Sequence, residues 1–295
     1  MAFIGCFVVA AQPVPSGAGS SRQPAALLAT EVHQLHSKIT GYDYVISVAM
    51  PAVYQRDQQA RFPVFYLLDA HMAFGTVTEG SRLLNFSEQI PPILIVGIAM
   101  AARTPMEQTR FRNFAFTPPL SGKDTDPGAG NGGQTANGGA PLFLSSLKED
   151  IIPLIESTYR TSADRTLGGY SLSALFASYV LLASPETFQR YVLVSPSVWW
   201  GNGTLIEQAS ALSKTGPQKG RRVFMAYGSE EEKDIVEGSQ AFARALRANT
   251  DAVVELRVGQ NEDHFLGLGV NYLRGLFYLY GNGRSPGRTG AGRPQ

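Results

Sequence analysis

The chain of 295 residues is 44% hydrophobic and 17% charged, below the ~25% charged of an average globular protein. Its 25 Lys and Arg against 24 Asp and Glu leave a formal charge of +1, which excludes an electrostatic nucleic-acid footprint or an anionic-membrane binder. Cys6 is the single cysteine and the four histidines are scattered; an internal disulfide framework and a clustered metal site are excluded with them.

Residues 1–28 read as a flexible N-terminal segment. Ala2 to Ala11 is continuously apolar, but no Lys or Arg precedes Arg22, so a basic n-region is lacking. A processed export signal and a frayed start both fit, and the compartment stays open between cytoplasmic and exported. Ten residues are too few to span a bilayer.

From residue 29 to 282 the pattern predicts one α/β domain. Glu31–His36 and Tyr44–Met50 carry apolar residues near every second position, as half-buried strands do. Val64 to Leu68 and Ile93 to Ile98 are continuous apolar runs, the mark of strands covered on both faces. Ala73–Leu84 reads as the helix between them. Residues 101–120 read as an irregular polar loop carrying Arg110 and Arg112. Residues 121–140 hold seven glycines and predict a mobile insertion.

Helical spacing returns at Leu142–Tyr159. Then come a short strand at Arg165–Gly169, a small-residue helix at Leu172–Leu182 and strands at Arg190–Val194 and Arg222–Tyr227. A helix at Phe242–Ala248, a strand at Ala252–Val258 and a closing helix at Phe265–Tyr280 complete the run. Residues 283–295 read as a disordered tail. The alternation predicts a mostly parallel twisted sheet with helices on both faces.

Gly169-Tyr170-Ser171-Leu172-Ser173 sits where a strand runs into a helix. A nucleophile elbow needs that setting: a serine at a strained strand-to-helix turn among small neighbours. Ser173 stands where the usual G-x-S-x-G pattern ends in glycine, and an ordinary helix-capping serine is the bland alternative. In such sheets the chain order is Ser, acid, His. Downstream of Ser171 the one histidine is His264, after the last strand. The acid would come from the carboxylate cluster Glu230-Glu231-Glu232 after Gly228, whose bland reading is a solvated helix start.

The order of several stretches resembles the esterase branch of the α/β-hydrolases, closest to siderophore trilactone esterases of the enterochelin type. They are Pro63–Asp69, Arg110–Pro118, Gly169–Ser173, Phe188–Tyr191, Ser195–Trp200 and Asn261–Phe265, within roughly residues 30 to 280. The resemblance implies Ser171 as nucleophile, His264 as base and Glu231 as acid, with Glu230 as its rival. It also implies an oxyanion hole from the backbone N–H groups of Leu172 and His71, where Ala70 replaces a usual glycine. Arg110 and Arg112 would clamp an anionic group or pair with nearby acids. Trp199 and Trp200 would line an acyl or aromatic pocket or pack in the core.

The expected function is a serine carboxylester hydrolase forming an acyl-enzyme on short-chain or aromatic esters, siderophore trilactones among them. Its partner is a small-molecule ester; no metal or organic cofactor, nucleic acid or membrane span is called for. The alternative is a catalytically silent scaffold of the same fold that binds a ligand or protein.

Overall fold

The computed structural model describes residues 26–119 and 138–281. Cys6, the rest of the N-terminal segment to residue 25, most of the glycine-rich stretch and the tail lie outside the described residues. Eight strands form one sheet: β1 Thr30–His36, β2 Asp43–Ala49, β3 Phe62–Leu68, β4 Leu94–Met100, β5 Thr161–Tyr170, β6 Arg190–Val194, β7 Arg222–Gly228 and β8 Val253–Gly259. Their order is β1-β2-β4-β3-β5-β6-β7-β8. β2 runs antiparallel to β1 and β4, and all pairs from β4 to β8 are parallel. This is the mostly parallel sheet of an α/β-hydrolase.

Two cores follow from the strand period of two. In β3, Val64, Tyr66 and Leu68 face one core, and Phe65 and Leu67 face the other. The second is capped by α1 (Ala70–Phe86) and α8 (Gly267–Tyr280), which supply Ala73, Val77, Tyr272 and Leu276. The first is covered by α2 (Pro105–Phe116), α3 (Ala140–Ser146), α4 (Ile152–Thr158), α5 (Leu172–Ala183), α6 (Trp200–Ser210) and α7 (Lys233–Asn249). A continuous apolar run such as Val64–Leu68 is what a strand buried on both faces requires. Among the described residues, no helix is long and apolar enough to cross a membrane.

Several boundaries differ from the sequence reading. Residues 105–116 are helical rather than a loop, so Arg110 and Arg112 sit on α2. The missed signal was local: Thr104 caps the helix by accepting from Glu107 N–H at 3.1 Å, and Pro105 opens it. Thr-Pro-x-Glu is a capping sequence with proline at the first helical position. The helix expected at 142–159 is broken by a π turn at Leu147–Ile151, where Ile152 N–H reaches back to Leu147 O. Pro153 supplies the reason, since it cannot donate in the regular ladder. Helix α6 was missed because Gly201, Asn202 and Gly203 all have positive φ inside it.

The sharpest packing constraint lies between β5 and α5. A β-carbon at Gly169 would collide with the Ser173 carbonyl and the Ala174 nitrogen, backbone atoms that cannot rotate away. At Gly75, on the exposed side of α1, a β-carbon would meet nothing within 4 Å. Gly169→Ala should therefore lower stability by about 1–3 kcal/mol or more, whereas Gly75→Ala should raise it by about 0.5–1 kcal/mol. Paired thermal melts check this; equal shifts for the two variants would contradict the close approach at Gly169.

Candidate active site

Parallel strands deliver their C-terminal ends to one edge of the sheet, and five neighbouring strands contribute there. β3 leads into Asp69, β5 into Ser171, β6 into Ser195 and Ser197, β7 into Glu231 and β8 into His264. Three of these are non-glycine residues with positive φ: Asp69 at 50°, Ser171 at 56° and Ser195 at 47°. Such conformations cost on the order of 1–3 kcal/mol each and persist where surrounding structure enforces them.

Ser171 has φ 56° and ψ −116° at the N-terminus of α5, the strained strand-to-helix turn of a nucleophile elbow. Its N–H donates to Val194 O at 2.9 Å, and its carbonyl accepts from Ser197 N–H at 3.2 Å and Leu175 N–H at 3.0 Å. The turn is thus fixed by β6 and by its own helix. Ser173, in the pattern's glycine position, is fully buried. Its hydroxyl lies 2.9 Å from both the N–H and the carbonyl of Tyr170. It serves the backbone of the elbow and is turned away from solvent.

A hydrogen-bond chain runs outward from Glu231. Glu231 Oε2 lies 2.8 Å from His264 Nδ1, and His264 Nε2 lies 3.1 Å from Ser171 Oγ. The other carboxylate oxygen accepts from Ser195 Oγ at 2.5 Å and from Gly228 N–H at 2.9 Å. Glu230, the rival acid, is exposed and takes the Ser229 hydroxyl at 3.0 Å. Ser197 Oγ sits 3.4 Å from Ser171 Oγ. The His264 ring stacks tilted on Tyr170 at 4.8 Å between centroids. Its carbonyl accepts from the Tyr170 hydroxyl at 2.6 Å. Burial first, then the negative charge of Glu231, push the Tyr170 phenol up from its ordinary value, so it stays a donor. Ser195, Ser197 and Tyr170 were not singled out from sequence as site residues; the strand-end serines of Ser195-Pro-Ser197 were the available signal.

The two oxyanion candidates follow neighbouring strand ends. β3 and β5 pair with Leu67 opposite Gly168, so α1 and α5 begin at adjacent strand ends. The first N–H groups of a helix have no intrahelical acceptor and carry its positive dipole end. Leu172 N–H and His71 N–H both belong to such first turns. The His71 ring is engaged elsewhere, with Gln108 Nε2 at 2.9 Å from Nδ1.

The four rim residues separate. Trp200 is buried in the core at 7% exposure, while Trp199 is 39% exposed; of the two readings, core packing holds for Trp200, and Trp199 keeps an exposed indole. Arg112 pairs with a nearby acid, the second of its two expected roles. Its Nε lies 3.1 Å from both oxygens of the buried Asp69 carboxylate, a fork that offsets the cost of burying that charge. Arg110, two residues earlier on α2, is exposed. Among the described residues, no group of three or more His, Cys, Asp and Glu could hold a metal.

Burial pushes the Glu231 carboxyl up, but hydrogen bonds from His264, Ser195 and Gly228 outweigh it and hold the group below its ordinary value. A carboxyl depressed in the folded state adds stability that is present above the unfolded value, near ~4.3, and lost as pH falls through the folded value. Near pH 7, Glu231→Gln should cost about 1.5–3 kcal/mol, the range for hydrogen bonds to a charged group. In urea melts the gap to wild type should narrow below about pH 4.3. A gap that is constant or widens in acid would show that Glu231 is not held ionised.

The chain can be placed among known proteins. The family described as "Putative esterase" matches residues 37–269. Over 221 residues the chain is 31% identical to the ferri-bacillibactin esterase BesA of Bacillus subtilis, covering 72% of this chain and 75% of that one. Over 246 residues it is 30% identical to the siderophore enterobactin esterase of Emericella nidulans, covering 77% and 78%. Its fold matches the BES protein of Bacillus cereus with a TM-score of 0.76 at 24% identity, over 88% of this chain and 99% of that one. With an α/β-hydrolase sheet beneath it and this sequence kinship along most of its length, the chain belongs to that esterase family and is a carboxylic ester hydrolase.

Proposed function

We propose that the chain hydrolyses esters through a covalent acyl-enzyme built on Ser171, with His264 as the base and Glu231 as its orienting acid. The observation that carries this reading is the unbroken chain from Glu231 through His264 to Ser171 Oγ, ending at a serine in a strained elbow. The imidazole Nε2 is within reach of the hydroxyl proton, and the carboxylate fixes the proton-bearing Nδ1. Ser171 Oγ attacks the ester carbonyl and His264 takes its proton, then passes it to the departing alkoxide. The tetrahedral oxyanion faces Leu172 N–H and His71 N–H, preorganised donors that need no reorientation as charge develops. Water, deprotonated by the same imidazole, attacks the acyl-enzyme and frees Ser171.

Ser171→Ala should lower kcat by roughly 10³-fold or more. Ser173→Ala should lower it far less in proportion to folded protein, since that hydroxyl faces the Tyr170 backbone. His264→Ala should match the Ser171→Ala loss while the chain still folds. A p-nitrophenyl butyrate assay reads all three. An active Ser171→Ala enzyme would remove the nucleophile assignment.

For substrate we propose siderophore-type trilactones and other aryl esters, in line with the named activities of the relatives. The exposed Trp199 indole, two residues after Ser197, offers a stacking face for flat, electron-rich acyl groups. An aromatic pair is worth about 0.5–1.5 kcal/mol beyond its buried area, roughly two- to twelvefold in rate. Trp199→Ala should therefore lower kcat/KM for a catecholate trilactone by about that factor and leave a plain butyrate ester unchanged. Equal losses on both esters, or no trilactone hydrolysis by wild type, would leave a general carboxylesterase in its place.

A further inference from the structure

We infer that Glu262, two residues before the catalytic base, is a positioning residue that clamps the acid and base loops to each other and to helix α8. The inference rests on the triad reading above. Glu262 is buried, at 8% exposure, and no step of the chemistry uses it. Its side chain points toward α8, where Oε2 accepts from Asn271 Nδ2 at 2.9 Å and Oε1 from Arg274 Nη1 at 2.7 Å. Arg274 Nη1 also reaches Asn271 Oδ1 at 2.8 Å, closing a three-residue network. A buried carboxylate is retained at this cost only when its partners are well placed.

The main chain of the same residue serves the other loop. Glu262 O accepts from Glu230 N–H at 3.0 Å, one residue before Glu231. Two further bonds run beside it: Ser229 N–H to Gly259 O at 2.8 Å, and Asn261 N–H to Ser229 Oγ at 2.9 Å. Asn261 holds the turn with φ 58°. Space has been kept for the clasp, since a β-carbon at Gly259 would collide with the Glu262 carboxylate. Glu231 and His264 sit on different loops, after β7 and β8. This residue bears on their separation, and so on the reach of Nε2 toward Ser171, from both sides.

The loss expected from such a residue is one of alignment. A displacement of ~1 Å at reacting groups can cost on the order of 10²-fold. Glu262→Ala should lower kcat roughly 10- to 100-fold per folded molecule with KM for p-nitrophenyl butyrate little changed. Glu262→Gln keeps the shape and one acceptor; it should still fold, with a lowered melting temperature, and lose a smaller part of kcat. The discriminating measurement is the acylation rate of Glu262→Gln in wild-type and Glu231→Gln backgrounds. If Glu262 works through the Glu231–His264 contact, its effect shrinks toward one once Glu231 is altered. An equal effect in both backgrounds, or kcat within twofold of wild type for both Glu262 variants, overturns the inference. Ser171→Ala run alongside separates the two levels. If it is inactive while the Glu262 variants are normal, the clamp alone fails; if it is active, the triad reading fails first.

Discussion

Ser171 carries a β-carbon yet holds φ 56° and ψ −116°, a conformation worth about 1–3 kcal/mol of strain, and much of the surrounding fold bears on keeping it there. β6 accepts its N–H, α5 grows from its carbonyl, and the missing β-carbon of Gly169 lets that helix come close enough to do so. Ser173 fastens the residue before it. What the strain secures is direction: the hydroxyl stands at the sheet edge, facing His264, with helical N–H groups beside it.

The same economy governs the charges. The molecule is nearly neutral overall, and the buried carboxylates at the site each have named partners. Asp69 is held by the Arg112 fork, Glu231 by Ser195, Gly228 and His264, and Glu262 by Asn271 and Arg274. A buried charge costs several kcal/mol unless it is paired and hydrogen-bonded, so each carboxylate also fixes the loop it stands on. The turn after β3, the Glu231 loop after β7 and the His264 loop after β8 are all ordered in this way. The site is rigid because its anions require partners from neighbouring elements.

Much of this was legible in the chain. Runs such as Val64–Leu68 announce strands covered on both faces, and Ser171 and His264 stand out because each occupies a strand-to-helix junction. The candidate acid narrows to two neighbours, and the reason the sequence goes no further is geometric. Glu230 and Glu231 have the same chemistry and adjacent positions; only the turn after Gly228 decides which carboxylate faces inward. Trp199 and Trp200 pose the same problem, since adjacent residues entering a helix diverge in direction. Arg112 was recognised as a cation, but its partner Asp69 lies 43 residues away, beyond anything local pattern can pair.

The sequence alone thus determined what local chemistry controls: strand and helix type, the strained serine turn, and the order in which the serine, the carboxylates and the histidine fall along the chain. These follow from side-chain period, steric size and the few residues able to bear each role. Tertiary structure alone decided which groups meet. The strand order brings β7 and β8 beside β5 and β6, the buried carboxylates select their donors, and Glu262 joins two loops that the chain keeps 33 residues apart at Glu231 and His264. Contact between distant residues depends on the register of the whole sheet, a property that no segment carries by itself.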